Sequence, residues 1–230
     1  MSFEFSGWTL VFDLDGTLVE TAPDLHAALN HTLAHKGLGP VTLDTIRMMI
    51  GDGAKAMIRK GLAYHQVPID QVEIEEQLWP VFLDYYGANI TQFSMPFEGS
   101  LACLSDLQRD GATLAVCTNK AQGLAEQVLS GLQMDRQFEA IVGGDELPVK
   151  KPDAHHLLET VARSGGDPAR AIMVGDSQTD EKAARNAGLP FVFVSFGYGT
   201  LSGQPYERLR SIDHWRDMQQ ALSQLAAGRP

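Results

Sequence analysis

The sequence predicts an α/β protein: a doubly wound parallel sheet, split near its start by a helical insert. Three observations predict it. A short apolar run, Trp8 to Phe12, stops abruptly at two carboxylates, Asp13 and Asp15. Between Glu20 and Phe93 the apolar residues recur at helical spacing, with no convincing β-rich run. From Pro96 onward, short apolar runs alternate with helical patterns, which is how parallel strands joined by crossover helices read. The α/β core is therefore expected over residues 1–20 and 96–230, and a helical cap over 21–95.

Each element has its own signal. In the insert, Thr21-Ala22-Pro23-Asp24 reads as a capping-box-like helix start, followed by Leu25, Ala28, Leu29, Thr32 and Leu33 on one face. His26, His31 and His35 on this helix are read as solvated or partner-facing, not as metal ligands. A second helix is expected over Thr42 to Ile50, ended by Gly51-Asp52-Gly53, and a third from Ala54. Asp70 to Ile90 reads as one long helix, kinked at Pro80. Ser94 to Gly99 reads as a linker back to the core. There, strands are expected at Thr113 to Cys117, Ala140 to Val142, Ala171 to Val174 and Phe191 to Ser195. Helices carry Leu101, Leu104 and Leu107; then Leu124, Val128 and Leu132; then Ala154 to Arg163; then Ala183, Ala184 and Ala187. After a Gly-rich stretch from Gly197, Trp215, Met218, Leu222 and Leu225 form a docking helix.

Composition excludes several classes. A chain of 230 residues with 44% hydrophobic and 20% charged residues can bury a core and is not disordered. A net charge of −11 disfavours nucleic acid and anionic lipid as partners. Cys103 and Cys117 are too few for a disulfide framework or a zinc site. No apolar run reaches the ~20 residues of a membrane span, and Met1 to Gly7 lacks the features of a signal peptide, so a cytoplasmic protein is expected. The oligomeric state, monomer or homodimer, is left open.

The strand ends carry the chemistry. In a parallel sheet the loops after the strands open at one edge, where ligands bind. Asp13 and Asp15 follow the first strand, and Thr118 and Asn119 the second. Lys151 lies in the loop after the short third strand, and Asp176 and Asp180 follow the fourth. Gly16 allows a sharp turn and close approach to a ligand. Carboxylates gathered this closely resist ionising unless a hard cation neutralises them, and Mg²⁺ is commonly held by carboxylate, water and phosphate oxygens. Such a cation with a lysine, a hydroxyl and a spare carboxylate is equipment for phosphoryl transfer from a small-molecule phosphate ester.

The residues Asp13-Leu14-Asp15-Gly16-Thr17, Thr118-Asn119, Lys151-Pro152 and Gly175-Asp176-Ser177 with Asp180 resemble the four motifs of the haloacid dehalogenase superfamily, in its order and spacing. Further features resemble its phosphoglycolate phosphatase branch: Asp24-Leu25, the run Ala115 to Lys120, Gly143-Gly144-Asp145 and Gly197-Tyr198-Gly199. The resemblance implies a Rossmann-like core with an α-helical cap, and a Mg²⁺-dependent phosphatase working through an aspartyl-phosphate. It further implies Asp13 as nucleophile and Asp15 as general acid and then base. Asp13, Asp176 and the Asp15 carbonyl would hold the metal. Thr118, Lys151 and the Asn119 backbone would hold the phosphoryl group, and Asp180 would orient Lys151. The cap would open about hinges near Val19-Glu20 and Met95-Pro96.

Departures from the branch concern the substrate. Glu20-Thr21 stands where Asp-Ser is usual, and Ala154, followed by His155 and His156, where a second proline is frequent. In the cap, Arg47 and Lys55 flank the Gly51-Asp52-Gly53 loop and are candidates to meet a substrate carboxylate. Four other readings stand beside the phosphatase: a phosphonate hydrolase using Lys55, a β-phosphoglucomutase-like enzyme, a dehalogenase (disfavoured by Asp15), and a non-catalytic phosphometabolite sensor (disfavoured because Asp13 and Asp15 are both present).

Overall fold

The computed structural model describes residues 4–228. Six strands, β1 (Thr9–Phe12), β4 (Thr113–Cys117), β5 (Ala140–Val142), β6 (Ala171–Gly175), β7 (Phe191–Val194) and β8 (Leu209–Ile212), form one parallel sheet. Their order is β5-β4-β1-β6-β7-β8. Side-chain alternation along each strand feeds two cores. Leu10, Phe12, Leu114, Val116, Ile172 and Val174 face one, and Val11, Ala115, Cys117, Ala171 and Met173 face the other. The first side is covered by α6 (Ser100–Arg109), α7 (Gln122–Gly131) and α10 (Met218–Ala227). The second is covered by α8 (Ala154–Arg163) and α9 (Gln178–Asn186). The sheet is thus doubly wound, as expected.

The register positions the site. Phe12 pairs with Val116 on one side and Val174 on the other. The residues that follow, Asp13, Cys117-Thr118 and Gly175-Asp176, therefore emerge level with one another at the carboxyl edge.

The insert is helical: α1 (Ala22–His35), α2 (Leu43–Arg47), α3 (Ala54–Tyr64), α4 (Gln71–Glu73) and α5 (Trp79–Ala88). Between α4 and α5, Ile74–Leu78 forms a π-helical turn, with Trp79 N–H donating to the Ile74 carbonyl. Pro80 offers no N–H to the preceding turn, so the ladder widens there. The helix expected over Asp70 to Ile90 is therefore broken in pattern but continuous in course.

Several expectations need correction. Two short strands, β2 (Val19–Glu20) and β3 (Met95–Pro96), pair antiparallel where a plain linker was expected. β8 adds a sixth strand within the tail; its half-exposed edge sequence, Leu-Arg-Ser-Ile, is too mixed to stand out. The second helix is shorter than expected, ending at Arg47. Leu101 is 42% exposed, and Cys103 takes the core position beside Leu104 and Leu107. The capping box at Thr21 and Asp24 does not form. The Thr21 hydroxyl donates instead to Asp15, and Asp24 accepts from the Phe93 and Ser94 amides and the Ser94 hydroxyl. Asp24 finds its partners 69 and 70 positions away, and Thr21 finds Asp15 six positions back, in place of the capping bonds. His26 is not merely solvated, since its Nε2 lies 2.9 Å from the Val41 carbonyl. His31 stacks on Tyr85 with ring centroids 4.3 Å apart.

Candidate active site

The strand-end residues converge. Asp13 is held by its backbone, with its N–H donating to the Val174 carbonyl at 2.9 Å, and Leu14 N–H donates to Asp13 Oδ1 at 2.7 Å. Lys151 Nζ lies 2.9 Å from that same oxygen and 2.6 Å from Asp180 Oδ1. Asp180 is fixed in turn by a capping box at the start of α9, where Ser177 donates to its second oxygen through both N–H and hydroxyl. Asp176 accepts from the Thr17 hydroxyl at 3.1 Å and from the Tyr198 and Gly199 amides at 2.7 and 3.3 Å. Gly197 keeps that loop close, because a Cβ there would stand 2.2 Å from the Cβ of Asp176. Gly16, at φ +83°, makes the turn after Asp15.

The electrostatics are those of a cation site. Asp13, Asp176 and Asp180 each place a carboxylate oxygen within 4.8 Å of the others, all buried. Burial, helped by Asp180 and Asp13, pushes Asp176 up to about 8. Burial likewise raises Asp13 to about 6, against the pull of Lys151. For Lys151, burial opposes the charge, but Asp13 and Asp180 outweigh it and hold the ammonium well above its ordinary value. Lys151 thus pairs with two of the three carboxylates, Asp13 and Asp180. With Asp180 engaged by Lys151 and Ser177, the oxygens left to share a divalent cation are those of Asp13 and Asp176, a set that fits a hard metal ion.

Asp15 looks the other way. Its oxygens lie 2.9 and 3.2 Å from Lys120 Nζ, and Thr21 Oγ1 donates to it at 2.6 Å. Asp13, Asp15, Thr118 and Asn119 line one cavity of about 300 Å³, with Gly51-Asp52-Gly53 and Lys55 on the facing insert. Asn119 ties the two sides together, donating to the carbonyls of Gly51 and Lys151. Lys151 N–H donates to His156 Nδ1 at 3.1 Å, and burial together with Lys151 pushes that imidazole down to about 4, which keeps it a neutral acceptor.

The two insert cations fare differently. Arg47 does not line the cavity; it meets Glu20 at 3.4 Å and Asp44 at 3.3 Å, because α2 ends there and Gly51, at φ +117°, turns the chain away. Lys55 does line it, but is paired with Glu75 and lies 5.3 Å from the Trp79 ring centroid. It is not the free amine that the phosphonate reading requires. Lys120, Tyr86, Thr17, Ser177 and Tyr198 also belong to the site, though their residue types alone assign them no role there. Four of these lie inside the quoted motifs, but only Ser177 is near in sequence to the acid it binds; Lys120, Thr17 and Tyr198 reach acids 105, 159 and 22 positions away, and Tyr86 has no sign beyond a place in an apolar helical pattern.

Set beside known proteins, residues 10–194 match the family model described as haloacid dehalogenase-like hydrolase. A phosphoglycolate phosphatase of Caulobacter vibrioides is 46% identical over 206 residues, covering 90% of this chain and 85% of that protein. Another, from Agrobacterium fabrum, is 46% identical over 188 residues, covering 82% and 80%. The crystal structure of a predicted phosphoglycolate phosphatase from Haemophilus somnus superposes with a TM-score of 0.82 at 27% identity, covering 94% of this chain and 97% of that one. A predicted phosphatase from Clostridium acetobutylicum shares the fold, with a TM-score of 0.79 at 21% identity over 95% and 99% of the two chains.

Proposed function

The chain belongs to the haloacid dehalogenase-like hydrolases and is a phosphoric monoester hydrolase, and from that premise we propose that it hydrolyses 2-phosphoglycolate. The observation that carries the reading is the separation of two carboxylates along one cavity. Asp13 sits beside Lys151 and Asp176, whereas Asp15 sits apart, against Lys120 and Thr21. Two acids in different surroundings suit two roles. Asp13 is the nucleophile. Its Oδ1 is engaged by the Leu14 amide and Lys151, and its other oxygen attacks phosphorus, forming an aspartyl-phosphate as the ester bond breaks. Asp15 gives a proton to the departing alkoxide, then takes one from the water that hydrolyses the intermediate. Lys151 and the Thr118 hydroxyl bind the phosphoryl oxygens, with the Asn119 backbone. Asp13, Asp176 and the Asp15 carbonyl would hold the cation, which we take to be Mg²⁺. When bound, it neutralises charge on the transferring group.

We read residues 21–95 as a cap that excludes water, and the β2–β3 pair as its hinge. A cytoplasmic setting fits two buried, free cysteines. No helix among the described residues is long and apolar enough to cross a membrane.

Phosphate release from a panel of small esters, with Mg²⁺ and with chelator, tests the reading. The expected result is Mg²⁺-dependent release with 2-phosphoglycolate preferred, and loss of at least about a thousandfold in kcat for Asp13→Asn with an unchanged circular dichroism spectrum. Release that persists in chelator, or an active Asp13→Asn variant, would overturn it.

A further inference from the structure

The proposed reaction puts Asp15 at the leaving-group oxygen, and that fixes where the rest of the substrate lies. Lys120 Nζ is 2.9 Å from Asp15 Oδ1. A group carried one carbon beyond the leaving oxygen is displaced from it by roughly 2.5 Å, two bond lengths at an ordinary angle, and so arrives beside that ammonium. Tyr86, on α5, forms the adjoining wall, with Lys120 Nζ 4.9 Å from its ring centroid. Both residues are buried, Lys120 at 6% exposure and Tyr86 at 1%.

The Tyr86 hydroxyl finds no acceptor for its proton among the described residues. Lys120 faces it, but an ammonium only donates. A buried phenol without an acceptor is a costly group to keep. Lys120 in turn carries three N–H donors, of which the two Asp15 oxygens occupy at most two. The other insert and loop cations around the cavity are engaged elsewhere: Lys55 with Glu75, Arg59 with Gln71, and Lys150 with the Asp52 carbonyl.

We propose that Tyr86 Oη and Lys120 Nζ receive the second anionic group of the substrate, a carboxylate one carbon beyond the ester oxygen. The assignment rests on the phosphatase reading above, which sets the position of the leaving group. Two adjacent donors match the two oxygens of a carboxylate. A substrate without that group leaves the buried pair unsatisfied, the arrangement that discriminates most strongly between substrates. Tyr86 is thus a specificity-determining residue supplied by the insert.

The test separates binding from turnover. Titration calorimetry in the Asp13→Asn background compares 2-phosphoglycolate with ethyl phosphate, which keeps the ester and lacks the carboxylate. Adding Tyr86→Phe removes one oxygen and no packing. The expected result is that the ratio of the two affinities falls about tenfold or more, as for loss of a hydrogen bond to a charged group. An unchanged ratio, whether both ligands weaken together or neither does, refutes the assignment. Turnover of both esters by the wild-type protein is measured alongside. Absence of turnover with the ratio still falling on Tyr86→Phe would sink the phosphatase reading and leave the carboxylate subsite standing.

Discussion

Asp176→Asn should make the protein more stable when no divalent cation is present, although it removes a proposed metal ligand. The carboxyl is 3% exposed, and burial with two neighbouring carboxylates raises it from 3.8 to about 8. A carboxyl whose folded value lies above its unfolded value binds its proton more tightly when folded. Its stabilising contribution is therefore complete below about pH 4 and is lost as pH rises toward about 8. The shift is about four units, and at ~1.4 kcal/mol per unit the upper bound at pH ~7.5 is on the order of 5 kcal/mol. Relaxation around a coupled cluster reduces this, and a gain of at least ~1 kcal/mol is expected. Asparagine suits the position because its carbonyl can still accept from the Tyr198 and Gly199 amides, while the Thr17 hydroxyl can turn to accept from its amide. Urea unfolding in chelator across pH ~5 to ~8 reads the effect. The wild-type protein should lose stability through that range and the variant should lose less. Mg²⁺ should restore the wild-type protein and leave the variant nearly unmoved, since a ligand that binds only the folded state stabilises it by mass action. A variant less stable than wild type at pH ~7.5 in chelator, or equal stabilisation of both by Mg²⁺, would refute the reasoning.

Lys151→Met deletes the buried cation between Asp13 and Asp180 and should cost ~3–5 kcal/mol at neutral pH. The loss should shrink near pH ~5, below the value of about 6 to which burial raises Asp13, where that carboxyl takes up a proton; an equal loss at both pH values in denaturant titrations would contradict the charge argument. Asp24→Ala removes the acceptor shared by Phe93 N–H, Ser94 N–H and the Ser94 hydroxyl, which ties α1 to the returning chain just before β3. A loss of ~3 kcal/mol is expected in urea unfolding, and a change below ~0.5 kcal/mol would mean water replaces those bonds at little cost.

Much of the site could be read from the chain because the relevant patterns are local. Leu10, Val11 and Phe12 alternate between two cores, as their burial requires, and the sheet then brings Asp13, Thr118 and Asp176 to one level. The short strand Ala140–Val142 and helix Ala154–Arg163 stand where apolar spacing puts them. What failed was the choice of partners. Thr21 and Asp24 carry a local capping signature, yet each is taken by a group brought near by the fold. Arg47 and Lys55 are insert cations near a loop that lines the cavity, but nearer acids pair with both.

The sequence by itself therefore determined the α/β class, the helical insert and the acids at the strand ends, since these depend on periodicity of two or 3.6 residues and on chain order. Tertiary structure alone decided which charges meet. Lys120 and Asp15 are 105 positions apart and Lys151 and Asp180 are 29 apart, and nothing in either local stretch specifies the other. It also decided that the Tyr86 hydroxyl, on a helix face that reads as plain core, has among the described residues only a donor beside it. Hydrophobic burial is non-directional and leaves its mark along the chain. Hydrogen bonds and ion pairs need atoms placed within about 3 Å, and only the finished packing supplies that.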